Sequence, residues 1–443
     1  MKACLIDAPF RSIVKYLVRL AFLIAVVVVG SGTLHAATFS IGAPEIIYTK
    51  SQRSSGGGST WPDGNLGAIS NGDGTYDFYG ANGAKPVLTT GTLVKPGGSK
   101  KSVSITNVPK KTYDYLAGGP VFEDPYSGAR LMIYHAEVHQ SSAKNFYSVL
   151  GLAISTDPEG RTFRDLGAII RPNIPSGLAE VGGGSFAIVD GYLNVYYKDW
   201  LSNGLTSEVA VARAPMAELM TNSLLGQSTS FTKYYNGGWS EPGLGGNSSH
   251  LETVNSPNSW LSVSYNDYLG QLMMVTSQWS DDKGDLYYAL SDDGINWGPR
   301  QPLAIDPGEQ FYPTIIGKGS DPTHSGKSFY VYYTDSKKGA WSRWGDAQLR
   351  RREIIIDPQN PDSFEPPPTS LGYTAEWVPI SGYQADFQEG LPSEGWKYVW
   401  NPKGKLGKSS DYIPLLWSDS AQAYNTTGAA TMVPDPKTHH DDH

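Results

Sequence analysis

Of 443 residues only one, Cys4, is a cysteine. The chain beyond it therefore holds no disulfide, no thiolate nucleophile and no thiolate metal site. Charge is also scarce: 18% of residues are Asp, Glu, Lys or Arg, and the net charge is −8. No basic block is present, which argues against nucleic acid as a partner. There is no GxSxG elbow and no Ser-His-Asp arrangement of the hydrolase kind. Long apolar runs are missing too, with one exception. Leu20 to Gly30 is uninterrupted, follows Arg11, Lys15 and Arg19, and precedes the small and polar stretch Ser31 to Ala37. That layout is expected of a secretory signal peptide over residues 1–37, and it predicts a secreted protein, extracellular or periplasmic, with no membrane contact after cleavage. Cys4 lies ahead of the run, so it is not a lipid-bearing cysteine.

What is abundant is glycine, 50 residues, and aromatic side chains, 12% of the chain. Short strands joined by tight turns produce this balance, with rings left over for a surface that stacks on the apolar faces of sugars. The organising stretch is Ala179 to Trp200, in which two β-rich runs flank Asp190-Gly191, a strong hairpin signal. Similar hairpins recur at Leu66–Gly80, Gly119–Ala136, His250–Tyr265 and Phe311–Tyr333, each followed by outer strands. Units of roughly 50 to 60 residues repeated in this way predict an all-β fold, a five-bladed β-propeller over residues 38–358. The fifth unit is one strand short, and Pro44 to Lys50 is expected to supply it and close the ring. Pro361 to Pro368 carries four prolines and marks a linker over 359–372. Residues 373–443 read as an aromatic-rich β accessory segment, either an incomplete carbohydrate-binding module or a packing extension.

In a propeller, the residues before strand one and after strand two of every unit converge on one funnel. Here the entry positions include Asp63, Gly118 with Gly119, Glu180, His250 with Glu252, and Tyr312; the exit positions include His135, Glu137, His139, Asp199, Trp200, Asn266 and Asp335. Carboxylates facing each other across a cleft are what glycosidic cleavage needs, one protonated toward the leaving oxygen and one ionised. Asp63 precedes Tyr76 by 13 residues and Glu180 precedes Tyr192 by 12, so the two acids hold corresponding places. The candidate catalytic residues are Asp63, Glu180 and Glu137; the candidate substrate-binding residues are His135, Asp199, Trp200, His250, Asn266 and Tyr312. Asp124, in the turn at the other end of its hairpin, is assigned to structure.

Three motifs resemble the five-bladed glycoside hydrolases related to family 43 and to the invertase and levansucrase families. Glu180 to Tyr197 resembles their third-blade acid motif and Asp63 to Tyr79 their first-blade base motif. Ser291-Asp292-Asp293-Gly294-Ile295-Asn296-Trp297 resembles their Ser-x-Asp-Gly-x-x-Trp turn. The resemblance implies a hydrolase of O-glycosyl bonds in a poly- or oligosaccharide, with Glu180 as general acid and Asp63 as base or nucleophile. It also implies a third carboxylate before strand one of blade two, where this chain has Gly118 and Gly119, so that Glu137 or Asp114 would substitute. No cofactor is expected beyond the structural calcium ion that some relatives hold in the channel through a histidine; His250 is the candidate for it, the other reading being a histidine hydrogen-bonded to substrate or to Glu252. The protein is expected to act as a monomer. The alternative is a non-catalytic, lectin-like propeller that binds sugar through rim aromatics.

Overall fold

The computed structural model describes residues 38–54, 61–97, 99–109, 112–142, 145–175, 179–200, 207–251, 260–280, 283–304, 308–336 and 347–357, and strands within 373–425. The segments read as signal peptide and linker lie outside the described residues. The chain begins with β1 (Thr38–Ile41), β2 (Glu45–Tyr48) and a single-turn α1 (Lys50–Ser54). Blade one follows as β3 (Gly67–Ser70), β4 (Tyr76–Ala81), β5 (Pro86–Gly91) and β6 (Lys101–Ser102).

Blade two contains β8 (Tyr115–Ala117) and β9 (Val121–Glu123), both paired to β10 (Arg130–Ser142), then β11 (Asn145–Ser155) and β12 (Thr162–Ile170). The short β7 (Ser104–Thr106), which follows blade one in the chain, runs parallel to β12 and so belongs to blade two. Blade three is β13 (Glu180–Val189), β14 (Tyr192–Trp200), β15 (Ser207–Pro215), β16 (Thr232–Tyr235) and β17 (Gly238–Pro242). An unforeseen helix, α2 (Met216–Leu225), is inserted between β15 and β16, ending at Gly226 in the left-handed conformation.

Blade four is β18 (Leu261–Asn266), β19 (Gln271–Ser280), β20 (Lys283–Ser291) and β21 (Gln301–Ala304). The expectation placed its first strand at His250–Val254, one strand too early. His250 and Leu251 are not in a strand; Leu251 N–H instead donates to Val209 O at 2.9 Å. Blade five is β22 (Glu309–Gly317), β24 (Ser328–Ser336) and β25 (Gln348–Asp357), while the short β23 (His324–Ser325) runs beside β18. Both β1 and β2 pair antiparallel with β25 and complete the fifth blade. Arg351 fastens this closure, with its Nε and Nη2 3.0 and 2.6 Å from Glu45 Oε2.

The ring is visible in where the apolar side chains go. Successive residues of a strand face opposite sides, so Met132 packs toward blade one and Ile133 toward blade three. Tyr196 and Tyr197 divide likewise, as do Tyr332 and Tyr333. Five buried clusters result, one in each gap between adjacent blades including the gap between blades five and one. Around the axis the inner strands are stitched by hydroxyls: Val263 N–H donates to Ser185 Oγ (2.9 Å), Ile315 N–H to Ser262 Oγ (3.0 Å) and Leu66 N–H to Thr314 Oγ1 (3.1 Å). Beyond the propeller, β26 (Tyr373–Pro379), β27 (Tyr412–Ser418) and β28 (Ala423–Asn425) form a separate antiparallel sheet.

Candidate active site

Glu180 opens β13, and Lys198 comes alongside it on β14. Lys198 Nζ lies 2.5 Å from Glu180 Oε2, and both side chains are almost wholly buried. The glycine run after Glu180 makes this possible. The β13–β14 register slips between Gly182 and Ser185, and Gly183 has φ +61°. A Cβ on Gly183 would stand 2.7 Å from the ring of Trp260, and one on Gly182 would stand 3.1 Å from Glu180 Oε1. Trp260, just ahead of β18, receives Lys198 Nζ at 4.6 Å from its ring centroid and packs edge-on against Tyr312 at 4.6 Å. Tyr312 interrupts β22 with a left-handed φ of 51°.

Asp63 follows the cis Trp61–Pro62 bond, and its N–H donates to Ala81 O at 2.9 Å. Below it Arg53 is buried and donates to three carbonyls: Trp61 O (3.0 Å), Pro62 O (3.0 Å) and Ala347 O (2.6 Å). Two effects oppose each other at Asp63. Burial and the nearby Glu137 push its carboxyl up, whereas Arg53, His135 and the Tyr115 hydroxyl pull it down. Burial dominates, and the group is raised to about 6. The same burial pulls the Arg53 guanidinium down to about 10 and drives the Tyr115 hydroxyl well above its ordinary range.

Glu137 and His135 stand on the funnel end of β10. Glu137 is held between two imidazoles, with Oε1 3.1 Å from His135 Nε2 and Oε2 3.3 Å from His139 Nε2. His139 Nδ1 continues the chain to Asp114 Oδ1 at 2.8 Å. The Gly118-Gly119 step leaves no room for a carboxylate there: a Cβ would meet Pro86 Cβ at 2.8 Å and Ile133 O at 2.6 Å respectively. Tyr115 and Glu137 flank Asp63 instead. Tyr312 joins the halves, because its hydroxyl is raised by burial first and then by Asp63, Tyr115 and Glu180, against Arg53. Blades one, two, three and five thus bring Asp63, Tyr115, Glu180 and Tyr312 together.

Other sequence candidates fall elsewhere. Asn266, one strand out of register in the sequence reading, ends β18 next to the β18–β19 turn at the far end of blade four. Its Nδ2 donates to Ser325 Oγ (3.0 Å) and Gly326 O (3.1 Å), and Leu269 N–H donates to its Oδ1 at 2.8 Å, a structural role. Asp199 alternates with Lys198 and so faces the other side of β14, near His250, whose imidazole is lowered by burial and raised in part by Asp199. The side chain of Trp200, and Glu252, lie outside the described residues. Asp124 Oδ2 accepts from Ser127 N–H at 2.8 Å, capping its turn. Lys198, Trp260, Tyr115 and Arg53 escaped the sequence reading. Among the described residues no group of three or more His, Cys, Asp or Glu is arranged to hold a metal ion.

No protein-family model matches the sequence, and no curated relative was found. Among solved structures the chain is similar to a family 117 glycoside hydrolase of the marine bacterium Zobellia galactanivorans, with 11% identity, TM-score 0.45, and coverage of 73% of this chain and 93% of that one. It is similar to the catalytic domain of a Coprinopsis cinerea family 62 α-L-arabinofuranosidase (11%, 0.44, 72% and 97%). It is also similar to an N-acetylgalactosamine deacetylase from F. plautii (11%, 0.43, 72% and 96%).

Proposed function

We propose that this protein is a secreted glycoside hydrolase that cleaves glycosidic bonds of a poly- or oligosaccharide with the carboxyl pair Asp63 and Glu180. One observation supports the reading: Glu180, paired with Lys198, sits beside the contacting rings of Trp260 and Tyr312, and Asp63 from the corresponding position in blade one joins burial and Glu180 in raising the Tyr312 hydroxyl. Glycosidic cleavage needs one carboxyl that gives a proton to the leaving oxygen and one that supplies electrons to the sugar carbon. Such a division requires environments that differ. Here one acid is unpaired by lysine and raised by burial, and the other is ion-paired to Lys198. Trp260 and Tyr312 supply the aromatic wall against which a sugar's C–H face can stack. Glu137 is the third carboxylate of the reading, a like charge that helps burial to raise Asp63.

The test is reducing-end release by the mature protein across a panel of neutral and acidic polysaccharides. Hydrolysis of at least one glycan is expected, with Glu180→Gln and Asp63→Asn each lowering turnover by a factor of about 10³ or more while glycan binding persists. Retained binding with no hydrolysis by the unaltered protein would favour the lectin-like alternative and overturn this reading.

A further inference from the structure

We infer that Asn65 is a positioning residue: its one side-chain amide, reaching out from the segment that carries Asp63, sets the Trp260–Tyr312 wall against that acid. The catalytic meaning of this inference rests on the proposed function; the positioning itself does not. Asn65 comes two residues after Asp63 and two before β3, and it is 5% exposed. Its Nδ2 donates to Leu261 O at 2.7 Å and to Pro313 O at 2.8 Å. Leu261 follows Trp260 and opens β18, while Pro313 follows Tyr312 where the β22–β24 register slips. From blade one, the amide therefore holds the residue next to each ring of the wall, one in blade four and one in blade five.

The innermost strand of a blade has one edge without a ladder neighbour, so its buried carbonyls need donors from side chains. The hydroxyls of Ser185, Ser262 and Thr314 each join two adjacent blades by accepting an N–H; Asn65 joins three by donating. Two carbonyl acceptors call for two donors held in one plane, which a primary amide has. An ionised Asp would turn lone pairs toward both carbonyls, Leu would leave both unpaired, and Ser has a single proton to give. The two carbonyls also fix which way the amide is turned, since the reverse would set Oδ1 against them. Oδ1 has no hydrogen-bond partner among the described residues, and Asn65 lines the cavity at the axis with Ser185, Ser262 and Thr314.

Within blade four, Ser277 N–H donates to Trp260 O at 2.8 Å, which ties Trp260 to its own sheet. Asn65 supplies a tie to the acid's segment. The ring centroids of Trp260 and Tyr312 stand 4.6 Å apart, and Lys198 Nζ lies 4.6 Å from the Trp260 centroid. A shift at Leu261 or Pro313 is thus passed to both rings and to the cation paired with Glu180. A sugar stacked on the wall keeps its distance from Asp63 only while the tie holds, and a misplacement of about 1 Å can cost about 100-fold in rate.

The experiment reads the wall before it reads turnover. Protein labelled with 5-fluorotryptophan is followed by ¹⁹F NMR, with three resonances identified by their absence from Trp260→Phe, Trp239→Phe and Trp297→Phe. Asn65→Leu is expected to shift or split the Trp260 resonance and to leave those of Trp239 and Trp297 in place. Asn266→Leu is the control: it removes an amide that also donates to two acceptors, at the far end of blade four, and should leave the Trp260 resonance unmoved. On a cleaved glycan, Asn65→Leu should lower kcat/KM by about 10- to 100-fold, mostly through KM, and Asn266→Leu should not. In the unaltered protein the side-chain amide protons of Asn65 should exchange slowly with solvent, a readout that stands even if Asn65→Leu fails to fold. An unmoved Trp260 resonance, equal disturbance of all three tryptophans, or rapid exchange of that amide would overturn the inference. If Trp260 responds and no glycan is cleaved, the proposed function fails and the positioning role stands.

Discussion

Gly183→Ala is the most revealing small change in the molecule, because the site depends on an absence of atoms. Two separate costs are written at that position. Gly183 has φ +61°, a conformation that costs a residue with a Cβ about 1–2 kcal/mol. The new Cβ would also stand 2.7 Å from Trp260 Cε3 and 3.2 Å from Cζ3, inside contact distance of a ring pinned by Lys198 and Tyr312. Overpacking of that kind adds about 1–3 kcal/mol. The total, about 2–5 kcal/mol, is a large part of an ordinary domain's stability. Gly237→Ala separates the two costs. Gly237 has φ +83° but nothing within 4 Å of its would-be Cβ, so only the backbone cost, about 1–2 kcal/mol, applies. Urea titrations of both variants and the unaltered protein provide the measurement, and the Gly183 variant should be less stable than the Gly237 variant by about 1–3 kcal/mol. It should also lose turnover on whichever glycan the panel identifies, whereas Gly237→Ala should not. Equal destabilisation would mean that Trp260 yields freely, and the fixed Glu180–Lys198–Trp260–Tyr312 chain would have to be abandoned.

The Asp63 carboxyl should also be visible in stability. Its folded value of about 6 exceeds the ordinary 3.8, so the native state binds the proton more tightly than the unfolded state does. That contribution is complete below about pH 4 and is lost as pH rises through 6, reaching about 1–3 kcal/mol with its partial exposure discounted. Asp63→Asn should therefore be more stable than the unaltered protein at pH 7 and lose this part of the pH dependence. Denaturation midpoints at pH 4, 5, 6 and 7 decide it. Arg53→Met orphans three carbonyls and should cost about 3–5 kcal/mol, read from the urea midpoint. It should also raise the Asp63 midpoint, since Arg53 holds that group down. Arg351→Met removes the two-point contact to Glu45 that fastens β2 to β25. Hydrogen exchange should then accelerate over residues 38–48 and 348–357 more than elsewhere; uniform acceleration would show that ring closure rests on the pairing of β1 and β2 alone.

The blades were legible because they are written in local chemistry. Asp190-Gly191 turns with φ 51° and 76°, and the hairpin it joins sits where the sequence placed it. The Ser291–Trp297 turn is equally local: Asp293 Oδ1 accepts from the N–H groups of Ile295 and Asn296 at 2.8 and 2.7 Å. Blade four went one strand out of register because His250–Val254 has the alternation of a strand, whereas Leu251 N–H donates to Val209 O of β15 in blade three. That slip carried Asn266 from the far end of the blade into the predicted funnel, and it hid Trp260 inside a supposed second strand. Helix α2 was missed because Pro215 and Gly226 punctuate a stretch flanked by strands on both sides, and its apolar face is read only once the core between blades two and three is known.

The site was half legible for a different reason. Asp63 and Glu180 announce themselves by their similar distance, 13 and 12 residues, from a following tyrosine, which is a property of the chain. Lys198 and Arg53 do not, since their meaning lies in what surrounds them. Lys198 reads as the solvent end of an aromatic strand, yet it is 2% exposed and faces blade four; Arg53 reads as a surface residue of a polar stretch, yet it spans three carbonyls. Burial converts each from a solubilising charge into a fixed one, and the two cations then do opposite things. Arg53 donates to backbone carbonyls and only moderates an acid that burial has raised, whereas Lys198 pairs with Glu180 and lies over the face of Trp260. Symmetry of position therefore says which residues meet, and asymmetry of burial says what each does on arrival. An acid pair related by a propeller's rotation begins with equivalent surroundings, so the difference in chemistry must come from residues that break the symmetry. Lys198, with no counterpart beside Asp63 except an Arg53 already engaged elsewhere, is the largest such break.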